Sequence, residues 1–143
     1  MAFVHKTALV PYPAAAIYAL VERVEDYPAF LPWCGGTTVH SRTGDTAVVT
    51  VQIDFRGLRQ SFTTENFHRY PERIEMKLVQ GPFRRLDGQW LFVPLRADAC
   101  KVEFRLDYEF AGPLISRILG PVFDQLAATF VDAFVRRAEE LHA

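Results

Sequence analysis

The sequence predicts an α+β fold in which an antiparallel sheet of about seven strands is followed by one long C-terminal helix. Three observations predict it. Between residues 39 and 110, apolar and polar residues alternate in short runs separated by turn residues, the period-two signature of half-buried strands. After Gly112 the period changes to 3.6 and holds to Leu141. Two short helical patterns stand between the first strand and the rest, over residues 14–30.

Residues 3–10 alternate weakly and stop at Pro11, so a short strand precedes a helix that Pro13 opens. Ile17, Leu20, Val21 and Val24 recur at helical spacing over 14–24, and Pro28 limits a second helical turn over 25–30. Residues 31–36, LPWCGG, read as a turn because they hold a proline and two glycines. Strands at 39–42 and 47–55 form a hairpin about Thr43-Gly44-Asp45, and Gly57 connects tightly to a strand at 59–68. Tyr70-Pro71-Glu72 turns into 73–80, where Ile74, Met76 and Leu78 oppose Arg73, Glu75 and Lys77, and Gly81-Pro82 ends that run. The strand at 84–94 sets Leu86, Trp90 and Phe92 on one face. In 100–110 the alternation is complete: Cys100, Val102, Phe104, Leu106, Tyr108 and Phe110 face a core, while Lys101, Glu103, Arg105, Asp107 and Glu109 face water. Pro113 opens the last helix, about 40 Å long if it reaches Leu141, and Gly120-Pro121 is expected to kink it.

A chain of 143 residues is expected to form a single domain over 1–143. Half of it is hydrophobic and 13% aromatic, which excludes a disordered chain and supplies a core. A net charge of -1 provides no overall field toward nucleic acid or anionic lipid, so any such partner must use a local patch. Cys34 and Cys100 form no CxxC pair, which fits two free thiols in a reducing compartment. The N-terminal segment lacks a basic stretch followed by a long apolar one, and no apolar run is read as spanning a bilayer. The expected location is therefore the cytoplasm, with membrane contact at most peripheral.

No catalytic constellation and no metal site is expected. His5, His40, His68 and His142 are scattered without HxH or HExxH spacing, and there is no P-loop, GxGxxG or GxSxG. Glu103, Asp107 and Glu109 alternate with Lys101 and Arg105, the pattern of a solvated salt ladder rather than of a paired acid and base. Arg56 with Arg59, and Arg84 with Arg85, lie at strand ends, where they either gather into a patch for a macromolecule or serve as ordinary solubilising charge.

Several words in the chain carry a family likeness: Tyr27-Pro28, Phe30-Leu31-Pro32-Trp33-Cys34, Ser61-Phe62-Thr63-Thr64, Gly81-Pro82-Phe83 with Leu86, Gly88, Trp90 and Phe92, Tyr108-Glu109-Phe110, and Ala133-Phe134 with Arg137-Ala138. With the element order, they resemble the coenzyme Q-binding, polyketide cyclase-like family of START-like, helix-grip domains, over essentially the full chain. The resemblance implies a curved antiparallel sheet gripping the long helix, with an apolar cavity between them.

The alternation independently assigns the side chains to such a wall. Trp33, Val51, Ile53, Phe62, Met76, Leu78, Trp90, Phe92, Phe104, Leu106 and Tyr108 from the sheet side, with Leu119, Phe123 and Phe130 from the helix, are the expected ligand-binding residues. The same side chains can instead interdigitate and fill the space, since burying a CH₂ is worth about 0.8 kcal/mol whichever molecule supplies it. Entry is expected where Trp33 meets Leu119 and Gly120-Pro121.

The resemblance implies three functions. The first is non-enzymatic binding of ubiquinone or another isoprenoid lipid in support of respiration, in the cytoplasm or peripheral to the inner membrane, with no cofactor required. The second is that of a toxin that associates with the large ribosomal subunit and blocks subunit joining, for which only Arg56, Arg59, Arg84 and Arg85 speak. The third, a polyketide cyclase or aromatase, is the weakest without a positioned acid and base. Oligomeric state is left open by the sequence.

Overall fold

Proline and glycine set most element boundaries in the computed structural model, which describes residues 2–142. The order is β1 (Ala2–Val10), α1 (Ala14–Glu22), a 3-10 turn (Val24–Asp26), α2 (Tyr27–Phe30), β2 (Cys34–Thr43), β3 (Thr46–Phe55), β4 (Leu58–Arg69), β5 (Arg73–Gln80), β6 (Phe83–Arg96), β7 (Ala99–Phe110) and α3 (Pro113–His142). All seven strands join one antiparallel, curved sheet in the order β1-β7-β6-β5-β4-β3-β2. β2 to β7 form a meander, and the helical segment after β1 carries the chain from one edge of the sheet to the other.

The hairpin turns explain two of the registers. Phe55 pairs with Leu58, so Arg56 and Gly57 form a two-residue turn with both φ values positive, 54° and 82°. Thr43 pairs with Thr46, and Gly44 at φ 57° supplies the left-handed residue there.

The structure corrects the expected boundaries in three places. Residues 34–36 belong to β2 rather than to a turn. A Cβ on Gly35 would lie 3.0 Å from Asp54 Cβ, and one on Gly36 3.1 Å from Gln52 Oε1, so these glycines permit close approach of β3 instead of reversing the chain. The helix expected over 14–24 ends at Glu22, and the next three residues form a tighter turn. In β6 the register with β7 shifts between Phe83 and Arg85, leaving Arg84 as an extra residue. That bulge puts Phe83 and Leu86 both in the core, and both arginines against carboxylates: Arg84 on Glu109 at 2.9 Å and Arg85 on Asp107 at 2.8 Å.

α3 is continuous across Pro121. One 18-residue stretch of it reaches a mean hydropathy of 1.4, long and apolar enough by composition to cross a bilayer, contrary to the expectation from the sequence. Its stripe of Leu119, Phe123, Leu126, Ala127, Val131, Phe134 and Ala138 is buried instead. Phe134 stands edge-on to Trp90, with ring centroids 5.2 Å apart, and Phe123 lies 4.8 Å from Tyr108, so aromatic contacts fix the helix across the concave face.

Candidate functional site: an apolar cavity under the long helix

Strand alternation aims Val49, Val51 and Ile53 of β3, Phe62, Thr64 and Asn66 of β4, Met76 of β5, Leu86 and Trp90 of β6, and Phe104 and Leu106 of β7 at one space. α3 covers it with Phe123, Leu126, Ala127 and Phe130, and the segment before β2 closes one side with Val24, Tyr27 and Trp33. The volume is about 80 Å³.

No charged side chain lines the cavity. Tyr27 brings a phenol, but its hydroxyl donates to the Val21 carbonyl, and burial pushes its pKa well above the usual range. The lining therefore holds no free acid or base. Thr64 and Asn66 are the polar side chains, 4% and 6% exposed, with Thr64 Oγ1 donating to Asn66 Oδ1 at 2.7 Å.

Ten of the fourteen residues expected on the wall line this space: Trp33, Val51, Ile53, Phe62, Met76, Trp90, Phe104, Leu106, Phe123 and Phe130. Four do not. Phe92 lies under α1, 5.5 Å from the Tyr18 ring, because the helix after β1 covers that end of the sheet. The Tyr108 hydroxyl donates to Asp124 and its ring fills the space beneath Phe123. Leu78 is half-buried, one alternation beyond Met76 along β5. Leu119 borders a separate void of about 10 Å³ with Leu58, Pro82, Phe83, Phe110 and Val122. Ile53, Phe62 and Phe123 line both spaces and so form the partition between them.

The expected meeting of Trp33 with Leu119 does not occur. Trp33 packs on Phe130, 5.9 Å between ring centroids, which is eleven residues, or about 16 Å, along α3 from Leu119. Thr64 and Asn66 were missed although Phe62, Thr64 and Asn66 share one face by simple alternation. β4 turns both inward.

Each of the four arginines has a neighbour within the sheet. Arg84 and Arg85 are held by Glu109 and Asp107, Arg59 lies 3.7 Å from Asp54, and the Arg56 guanidinium sits over the Phe55 ring. Among the described residues, no group of three or more His, Cys, Asp and Glu is placed to hold a metal ion.

A sheet closed by one helix over a largely apolar cavity is the geometry of a hydrophobic-ligand-binding fold. Residues 10–135 match the polyketide cyclase / dehydrase and lipid transport family, and the chain belongs to it. It is 43% identical over 140 residues to the ribosome association toxin RatA of Escherichia coli K12, covering 98% of this chain and 89% of that protein. It is 26% identical over 135 residues to the mitochondrial coenzyme Q-binding protein COQ10 of Drosophila melanogaster, covering 92% of this chain and 56% of that one. A START superfamily protein from Mycobacterium smegmatis superposes with a TM-score of 0.76 at 26% identity, over 97% of this chain and 98% of that chain. The fold is START-like.

Proposed function

We propose that this chain binds an isoprenoid quinone, ubiquinone or a close relative, without chemically transforming it, and that this binding supports respiratory electron transport. The observation that carries the reading is the cavity: among the described residues its lining is mostly aliphatic and aromatic, with no charged side chain and with one hydrogen-bonded Thr64–Asn66 pair. The likeness to a protein named as coenzyme Q-binding adds support. A space of about 80 Å³ is smaller than such a molecule, so binding head and tail together needs a wall that moves. The proposed place of action is the cytoplasm, with at most peripheral contact with the inner membrane.

A second reading, association with the large ribosomal subunit, is favoured by 43% identity along nearly the whole chain to a protein named as a ribosome association toxin. Of the arginines considered for it, Arg84 and Arg85 pair with Glu109 and Asp107, Arg59 lies 3.7 Å from Asp54 and Arg56 packs over Phe55; exposed pairs of this kind are weak enough to exchange for phosphate contacts.

One experiment separates the two readings. Protein purified from its own cells is extracted with organic solvent for mass spectrometry, and the same preparation is sedimented with ribosomal subunits. A copurifying quinone without cosedimentation supports the first reading; cosedimentation without an extracted lipid supports the second.

A further inference from the structure

The amide of Asn66 is half used. Its Oδ1 accepts from Thr64, leaving the two hydrogens on Nδ2, and among the described residues no protein acceptor meets them. The sealed polar atoms without partners are Arg73 Nε, Arg85 Nη2 and Asp107 Oδ1, all elsewhere. Asn66 Nδ2 is not among them, so it is not sealed, and it belongs to a side chain that lines the cavity on a residue 94% buried by its 6% exposure. A donor held in an apolar wall is costly unless something accepts from it.

We infer that Asn66 Nδ2 donates a hydrogen bond to a carbonyl oxygen at the head of the bound molecule, so that this cavity selects an apolar ligand with a carbonyl at one end over a hydrocarbon of equal bulk. The inference rests on the proposed quinone binding and adds an orientation to it. Thr64 is the positioning residue: its hydroxyl holds one end of the amide so that the other end is left for the ligand. Asn66 lies four residues along β4 from Phe62, about 13 Å, and Phe62 borders the second void. The head therefore sits at Asn66 and the tail points toward Phe62 and the first half of α3.

Trp33 and Trp90, the two tryptophans of the chain, both line the cavity and report occupancy by fluorescence. The probes are a ubiquinone with two isoprenoid units and a hydrocarbon isoprenoid of matched length, the latter read by displacement of the former. The wild type is expected to bind the quinone at least tenfold more tightly, and Asn66→Leu to lose about tenfold for the quinone while holding the hydrocarbon unchanged. An intact preference in folded Asn66→Leu overturns the inference. Equal binding of both probes by the wild type overturns it while leaving the cavity reading standing; binding of neither overturns both.

Two further readouts serve if the leucine variant does not fold. Thr64→Val is expected to reduce the preference for the quinone. Infrared difference spectra of carbonyl-labelled quinone on the wild type are expected to show one carbonyl band shifted to lower frequency, and two unshifted bands overturn the inference.

Discussion

Met76 lies across Gly88 on the neighbouring strand, so close that a methyl group at Gly88 would fall 2.4 Å from Met76 Cε and 3.2 Å from Leu106 Cδ1. The two residues are cross-strand partners, and the missing side chain is what lets the thioether lie flat against β6. Gly88→Ala should push the flexible Met76 end into the cavity, weakening binding of a short-tailed quinone several-fold with little change in Tm. Met76→Trp should do the same more completely. If instead either variant loses about 1–3 kcal/mol and keeps its affinity, the side chains overpack a dense core and the cavity is not the binding space.

The charged face of β7 yields a stability prediction. Glu103 accepts from both Arg105 and His5 at 2.8 Å, on the face of the sheet away from α3. Its two partners are 51% and 41% exposed and rehydrate when it is removed. Glu103→Ala should therefore cost less than about 1 kcal/mol in urea titrations. A loss of several kcal/mol would mean that this carboxylate serves a buried network.

How much of this was legible follows from what local pattern can encode. The bounds of β5 at Arg73 and Gln80 are legible from alternation between the Tyr70-Pro71-Glu72 turn and Gly81-Pro82, and the inward set of β7 from Cys100 to Phe110 from its one clean apolar face. The Arg84 bulge was not legible, since an inserted residue breaks the period without a local marker, and so the pairing of Arg84 and Arg85 with Glu109 and Asp107 went unseen. Gly35 and Gly36 look like a turn in sequence but answer to Asp54 and Gln52, 19 and 16 residues away. Strand face alone places Val51 and Phe104 on the cavity, whereas at Phe92 the covering helix α1 decides the surroundings.

His68 gives a pH prediction. Burial holds its imidazole below the ordinary value of 6.5; Glu22 and Asp45 oppose that shift and Arg42 reinforces it. The folded state thus binds the proton less readily than the unfolded chain. Stability from this group is complete above about pH 6.5 and is lost as the pH falls from there through the folded pKa. Denaturant melts from pH 8 to pH 5 should show a loss that His68→Gln lacks. Identical pH profiles for the two proteins would remove His68 as the cause.

The last prediction concerns how a ligand longer than the cavity gets in. Ile53, Phe62 and Phe123 separate the 80 Å³ space from the smaller void, and Leu119 and Val122, which flank Gly120-Pro121, line that void. Displacing the Phe62 and Phe123 rings, whose centroids are 6.3 Å apart, would merge the two spaces into one channel toward the start of α3. The helix is weakest at that point. Relative to Ala, Gly costs about 1 kcal/mol and Pro about 3 kcal/mol inside a helix, so this segment opens more readily than residues 126–138, which contain no helix breaker. Alanine fits at Gly120, where the nearest atom to a new Cβ is Phe110 Cε2 at 4.0 Å. Gly120→Ala with Pro121→Ala should stiffen the helix and slow quinone exchange in stopped-flow measurements, while equilibrium affinity changes much less. Exchange at the wild-type rate in a folded double variant would show that Pro121 only shapes the helix and that ligands enter elsewhere.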